Sequence, residues 1–134
     1  MGKLKNSDII NHFDDDKDDG LKISIQIVPE VEHCIILTLK GYIDTYNNLF
    51  LSKQIAKIRG SHFNKLIFDC TSLSYMSSTG IGAFISIWSD LKKTGGNLVT
   101  FGMSDKVIEP IRLLGFIEYF NVKNNVKEAI EFFS

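Results

Sequence analysis

The chain has 134 residues, 44% of them hydrophobic and 23% charged, with a formal net charge of -1. That is the length and balance of one globular domain with a sizeable core. There is no basic field to attract nucleic acid, and no apolar run is long enough to span a bilayer. The two cysteines, Cys34 and Cys70, lie in or beside apolar runs. They read as buried thiols, not as a disulfide framework, so a reducing, cytoplasmic compartment is expected. The first residues carry neither a secretory nor a myristoylation signal.

Residues 1–20 include the acidic run Asp14-Asp15-Asp16-Lys17-Asp18-Asp19. Such a run repels itself and cannot build a core, so a flexible, solvated tail is expected, with an acidic interaction tail as the alternative. The domain proper is expected over residues 21–134. Leu21 to Val28 alternates apolar and polar residues as a half-buried strand does, and Pro29-Glu30 breaks it. Cys34 to Leu39 is a second strand, close enough to pair as a hairpin, with Gly41 ending it.

The period then changes. Tyr46 to Ile58 reads as a helix with Leu49, Ile55 and Ile58 as its approximate stripe, Leu51 and Ala56 nearby, Lys53, Gln54 and Lys57 elsewhere on the wheel, and Gly60 as its stop. Leu66-Ile67-Phe68 lacks alternation and reads as a central, fully buried strand ending at Asp69. Gly80 to Leu91 is the clearest helix, with Ile81, Phe84, Trp88 and Leu91 on one face and Ile85 beside them. Thr94-Gly95-Gly96-Asn97 is a turn, and Leu98 to Phe101 a further buried strand.

Ser104-Asp105 can cap a helix reaching Leu114, with Gly115 as its end and Pro110 implying a kink or a later start. Phe116 to Val122 reads as a last short strand or extended return, and Asn124 to Phe133 as a closing helix. Strands alternating with helices imply an α/β fold: a single-domain, mostly parallel sheet with an N-terminal antiparallel hairpin strand and about four helices.

The turn Ser77-Ser78-Thr79-Gly80 stands where a strand, a loop and a helix start meet. Partners favour the carboxyl ends of parallel strands. Hydroxyls at a helix start satisfy free N–H groups, and the same groups tolerate a phosphate. A phosphate would add about -1.5 to -2 charges to a neutral surface. By spacing alone, a plain hydroxyl cap without regulation is the better reading of the turn.

Four stretches resemble the STAS domain, specifically the bacterial anti-sigma-factor antagonists. They are Gly41-Tyr42-Ile43-Asp44, Leu66 to Leu73 ending its strand at Asp69, Tyr75-Met76-Ser77-Ser78-Thr79-Gly80-Ile81-Gly82, and Leu113-Leu114-Gly115-Phe116 with Val126 to Phe133. The resemblance covers nearly the whole domain. It implies a protein that, unphosphorylated, binds a serine-kinase anti-sigma factor and frees a sigma factor. Phosphorylation would break that complex, and a metal-dependent serine phosphatase would restore it.

Matched residue by residue, the resemblance implies Ser78 as the phosphate acceptor and places Asp44, Ser77, Thr79, Gly80 and Gly82 at the partner surface. The two glycines are expected to admit the partner's backbone closely. The family commonly has aspartate where this chain has Ser77. That departure leaves a constitutive STAS scaffold or ligand-binding module in a larger signalling complex as the alternative.

Enzyme motifs are not found. His12, His33 and His62 have no metal-type spacing, and no hydrolase elbow, P-loop or dinucleotide fingerprint occurs. Asp44 and Asp69 could pair as carboxylates, but Asp69 reads better as a turn residue at its strand end. No cofactor, metal, membrane or direct nucleic-acid partner is expected.

Overall fold

The computed structural model describes residues 18–134. The expectation for residues 1–17 falls outside the described residues. Asp18 to Gly20, expected in the tail, are held in place: the Asp18 Oδ1 atom accepts from the N–H of Gly20 at 2.7 Å and of Leu21 at 3.1 Å.

Five strands form one sheet in sequence order: β1 (Leu21–Ile27), β2 (Cys34–Ile43), β3 (Lys65–Met76), β4 (Asn97–Phe101) and β5 (Val122–Lys123). β1 runs antiparallel to β2, and every later pairing is parallel. The crossovers are α1 (Asn48–Gly60) and α2 (Ser78–Lys93), then α3 (Asp105–Leu113) with a 3-10 turn at Ile117–Phe120. α4 (Val126–Phe132) closes the chain.

Alternation along the strands explains the two layers. Leu66 and Phe68 face the main core with α1, α2 and α3, while Ile67 faces a second cluster with Ala129 of α4. All three are fully buried, which is why the run shows no polar alternation. Cys34 and Cys70 are both buried and free. Loss of hydration pushes the Cys34 thiol up to about 12 and raises that of Cys70 as well, so both stay protonated and unreactive at neutral pH.

Several expectations are corrected. Gly41 does not end its strand; β2 continues to Ile43. Gly41 has φ +118°, and a Cβ there would collide with the carbonyl oxygen of Gly20. The glycine therefore lets β2 pass the entry of β1 at close range, next to a register irregularity against β3. β3 does not end at Asp69 but continues to Met76. Asp69 makes a turn-like contact within the strand, its Oδ1 accepting from Thr71 N–H at 3.0 Å and Thr71 Oγ1 at 2.6 Å.

The segment expected as a strand or extended return over Phe116 to Val122 is the 3-10 turn, followed by only two strand residues. Asn121 makes the change of direction. It sits at φ 45°, and its Nδ2 donates to Leu98 O at 2.8 Å. α3 starts at Asp105, not later, and runs through Pro110. Glu109 and Pro110 face solvent, where water can take up the carbonyl that a proline leaves unpaired.

α1 buries Ile55 and Ile58 of the expected stripe, with Gln54 in it and Leu49 outside it. Leu51, Gln54, Ile55 and Ile58 are buried and follow i, i+3, i+4, i+7. Leu49 lies on the other side and is 62% exposed. Gly60 is the last helical residue, and His62, at φ 72°, makes the turn after it. Gln54, expected on the polar side, has neither side-chain polar atom hydrogen-bonded. An orphaned buried polar group costs roughly 1–3 kcal/mol. Gln54→Met, of similar length, is therefore expected to raise the unfolding free energy by about 1 kcal/mol or more. Equilibrium denaturant unfolding reads this directly, and a destabilised variant would show that the amide has partners after all.

Candidate functional site

Two loops meet at the carboxyl ends of β2 and β3. β2 ends at Ile43, registered beside Met76 at the end of β3. The pairing extends one residue further, because Ser77 N–H donates to Ile43 O at 2.9 Å. The first loop, Asp44 to Asn47, is closed by its own side chains. Asp44 Oδ1 accepts from Tyr46 N–H at 2.9 Å and Asn47 N–H at 3.1 Å. Asn47 returns the contact, its Oδ1 accepting from Asp44 N–H at 2.8 Å while its Nδ2 donates to Tyr42 O at 2.8 Å.

Asn47 is nearly fully buried. Sequence reasoning missed it, although an aspartate followed three residues later by asparagine at a helix start is a capping signal.

The second loop is the serine turn. α2 begins at Ser78, with Ser77 as its N-cap. Ser77 Oγ accepts from Gly80 N–H at 3.1 Å, and Ile81 N–H donates to Ser77 O at 2.9 Å. This leaves the N–H groups of Ser78 and Thr79 without an acceptor among the described residues, at the positive end of the helix dipole. The Thr79 and Thr45 hydroxyls lie 3.3 Å apart and tie the two loops together. Ser78 is exposed, and among the described residues no other group engages its hydroxyl.

The three neighbouring hydroxyls thus differ. Ser77 caps, Thr79 contacts the other loop, and Ser78 is open to solvent. Ser77 does the capping work that an aspartate would also do, since both residue types are strong N-caps. Ser77→Ala is expected to cost about 1 kcal/mol in thermal or denaturant unfolding, while Ser77→Asp keeps the stability of the parent. Equal losses in both variants would show that the cap contributes nothing.

The two glycines divide. Gly80 is buried, and a Cβ there would lie 2.8 Å from Ile43 Cγ2 and 2.9 Å from Met76 Cγ. Glycine at 80 is required by packing within the domain, not by an approaching partner. Gly82 is exposed with nothing within 4 Å of a Cβ position, so its face is open to a partner. Gly80→Val should therefore push the β2 end away from the serine turn and lower the melting temperature, whereas Gly82→Ala, at an exposed position inside α2, should raise stability by about 0.5–1 kcal/mol.

Large apolar side chains frame the turn, another feature that sequence reasoning missed. Tyr46 is 93% exposed, and Tyr42, Leu49 and Tyr75 are also exposed. Tyr42 and Tyr75 are registered neighbours on β2 and β3. Clustered aromatics with small polar residues are the composition of a protein-binding surface.

Asp44 and Asp69 are not brought together. Asp69 pairs with Thr38, seven residues before the end of β3, about 20 Å along the strand. A cleft of about 310 Å³, lined by His33, Arg59, His62, Phe63, Asn64 and Thr94, opens at the amino ends of the strands, away from the serine turn. Among the described residues, no three His, Cys, Asp or Glu side chains group as a metal site, and no helix is long and apolar enough to cross a membrane.

Known proteins are similar to this chain in sequence and in fold. The anti-sigma-B factor antagonist of Listeria monocytogenes is 29% identical over 104 residues, spanning 78% of this chain and 91% of that protein. An anti-sigma factor antagonist from Mycobacterium paratuberculosis superposes with TM-score 0.73 at 16% identity, over 86% of this chain and 95% of that one. The Bacillus cell fate determinant SpoIIAA in its phosphorylated form does so with TM-score 0.63 at 18% identity, over 82% and 97%. The STAS-domain family model matches residues 24–129, from β1 to Ala129 in α4. With the sheet order and the loop pairing observed above, that match means the chain belongs to the STAS-domain family.

Proposed function

We propose that this chain is an anti-sigma-factor antagonist, a binding protein and not an enzyme. In its unphosphorylated form it docks on a serine-kinase anti-sigma factor through the Asp44 loop and the turn from Ser77 to Gly82, which frees a sigma factor. Phosphorylation of Ser78 switches that binding off, and a metal-dependent serine phosphatase restores it. The likeness to the Listeria antagonist supports the pathway.

The observation that carries the choice of acceptor is the division of labour among the hydroxyls. Ser77 Oγ is held by Gly80 N–H and Thr79 Oγ1 lies against Thr45, while Ser78 is exposed at the first turn of α2. A phosphate on Ser78 sits beside two free N–H groups at a helix start, so the domain tolerates it locally. The partner surface, by contrast, gains up to two negative charges. Gly82, Tyr46 and Tyr75 supply open contact area around the switch.

The test is incubation with the kinase-type anti-sigma factor and ATP, followed by intact-mass measurement. The parent should gain one phosphate and Ser78→Ala none. A full phosphate on Ser78→Ala would overturn the assignment of the acceptor.

A further inference from the structure

The two edges of the sheet are built differently. β5 closes one side with two residues, Val122 and Lys123. β1 closes the other side with seven, Leu21 to Ile27, and among the described residues it pairs only with β2. Folded chains usually blunt a long edge strand with several charges, an internal proline or a bulge. β1 has none of these. Its register with β2 runs unbroken from Leu21 on Gly41 to Ile27 on Ile35, and Lys22 is its single charge.

The direction of its backbone groups follows from the two ends of that ladder. Tyr42 N–H donates to Gly20 O at 3.0 Å, and Val28 N–H donates to Cys34 O at 3.1 Å. In an antiparallel ladder the residues that bond the neighbouring strand come at every second position. Lys22, Ser24 and Gln26 therefore turn their backbone groups to β2, while Ile23 and Ile25 turn theirs outward. Leu21 N–H, also outward, is taken up by Asp18 Oδ1. The outward groups of Ile23 and Ile25 meet no partner among the described residues. Their side chains are half-buried against the main core, and those of Lys22, Ser24 and Gln26 are exposed on the other face.

A second copy of the same strand fits this edge. Antiparallel pairing centred on Ser24 sets Ile23 opposite Ile25 as a hydrogen-bonded pair, Leu21 opposite Ile27, and Ser24 opposite Ser24. Lys22 then faces Gln26 of the second copy, so the one charge of the strand does not meet its own image. A register that set Lys22 on Lys22 would place like charges directly opposite each other. In the register centred on Ser24 the two five-stranded sheets become one continuous sheet.

We infer that the outer edge of β1 is a homodimer interface, in which two copies pair antiparallel through Leu21 to Ile27 with the twofold axis at Ser24. A single strand pair is smaller than a standard interface of about 1,600 Å², so the dimer is reversible and concentration-dependent. The serine turn follows β3, two strands in from the shared edge, so both copies keep it clear of the pairing. The pairing goes beyond the function proposed above and does not depend on it.

The test is disulfide trapping with oxidised glutathione on the full chain carrying one added thiol, since both native cysteines are buried. In the inferred register the two copies of residue 24 form a non-hydrogen-bonded pair with Cα atoms about 4.5 Å apart, within disulfide range. Ser24→Cys should therefore cross-link to itself. Lys22→Cys and Gln26→Cys should each stay uncross-linked alone, because like positions then lie four residues apart along the strand, about 14 Å. Mixed together, those two should cross-link to each other. All three positions are exposed, so the substitutions leave the packing intact.

Equal self-cross-linking of all three variants would overturn the inference, as would a Ser24→Cys protein that stays monomeric. Sedimentation gives a second reading without added thiols. The parent should form a dimer as its concentration rises, and Ser24→Lys, which sets two ammonium groups together at the axis, should return it to monomer. A parent that sediments as a monomer at its highest soluble concentration, or a dimer that persists in Ser24→Lys, would also overturn it.

Discussion

Ser78→Asp is expected to weaken binding to the kinase-type anti-sigma factor at least about tenfold while leaving the domain folded. Ser78 is exposed at the first turn of α2, so the new carboxylate meets the dipole of its own helix favourably and disturbs no packing. In the proposed complex the same carboxylate would replace a neutral hydroxyl at the docking surface. An unpaired charge desolvated at an interface costs about 2–5 kcal/mol, and each 1.4 kcal/mol is about a factor of ten. Asp44 already places one negative charge in the neighbouring loop, held there by Tyr46 and Asn47 N–H groups.

Phosphoserine, with about twice the charge of aspartate, should act more strongly still. Ser78→Ala should bind as the parent does and be blind to the kinase. Titration calorimetry of the three proteins against one partner preparation separates the outcomes. Equal affinity of Ser78→Asp and Ser78→Ala would remove charge as the mechanism of the switch.

Phe84→Ala should be the most damaging core substitution at the switch helix. Phe84 is fully buried in α2, edge-on to Phe68 of β3 at 4.9 Å and stacked with Phe120 of the 3-10 turn at 5.2 Å. One ring thus joins the central strand, the helix that presents Ser78 and the return to β5. Removing such a ring costs about 3–5 kcal/mol, including the cavity it leaves. The total stability of a domain of this size is about 5–15 kcal/mol, so the loss is a large share.

A fall in melting temperature of about 10–20 °C is expected. Phe84→Leu, which keeps most of the volume, should lose less than half as much. A melting temperature within a degree or two of the parent would mean that this contact does not anchor α2. The two substitutions are complementary: Ser78→Asp should change affinity without stability, and Phe84→Ala should change stability first.

Where the sequence was legible, one physical signal dominated its surroundings. The α2 stripe was readable because Ile81, Phe84 and Leu91 share one face at helical spacing, and all three are buried. Leu66-Ile67-Phe68 was readable because a strand covered on both sides has no reason to alternate. The α1 stripe was misread because Gln54 is polar, yet geometry puts it with Leu51, Ile55 and Ile58. Residues 70–76 looked like a loop because Thr71, Ser72, Ser74 and Tyr75 are exposed. Their backbone nonetheless pairs with β2 as far as Ile43. The register irregularities against β2 break the alternation of two that marks a half-buried strand: the buried residues Cys70, Leu73 and Met76 come three apart.

At the site, the residues alone show that three hydroxyls open a helix, that Asp44 stands in a loop after a strand, and that the pattern resembles a STAS domain. Local chemistry sufficed for these points. Which hydroxyl is open follows from the fold. It brought Thr45 to Thr79, gave Ser77 to Gly80 N–H and left Ser78 at the surface. It also turned Gly80 from a point of partner approach into a packing requirement against Ile43 and Met76, while leaving Gly82 open. The Thr45–Thr79 contact and the packing of Gly80 on Ile43 each join residues more than thirty positions apart in the chain at adjacent strand ends, a distance that no local pattern spans.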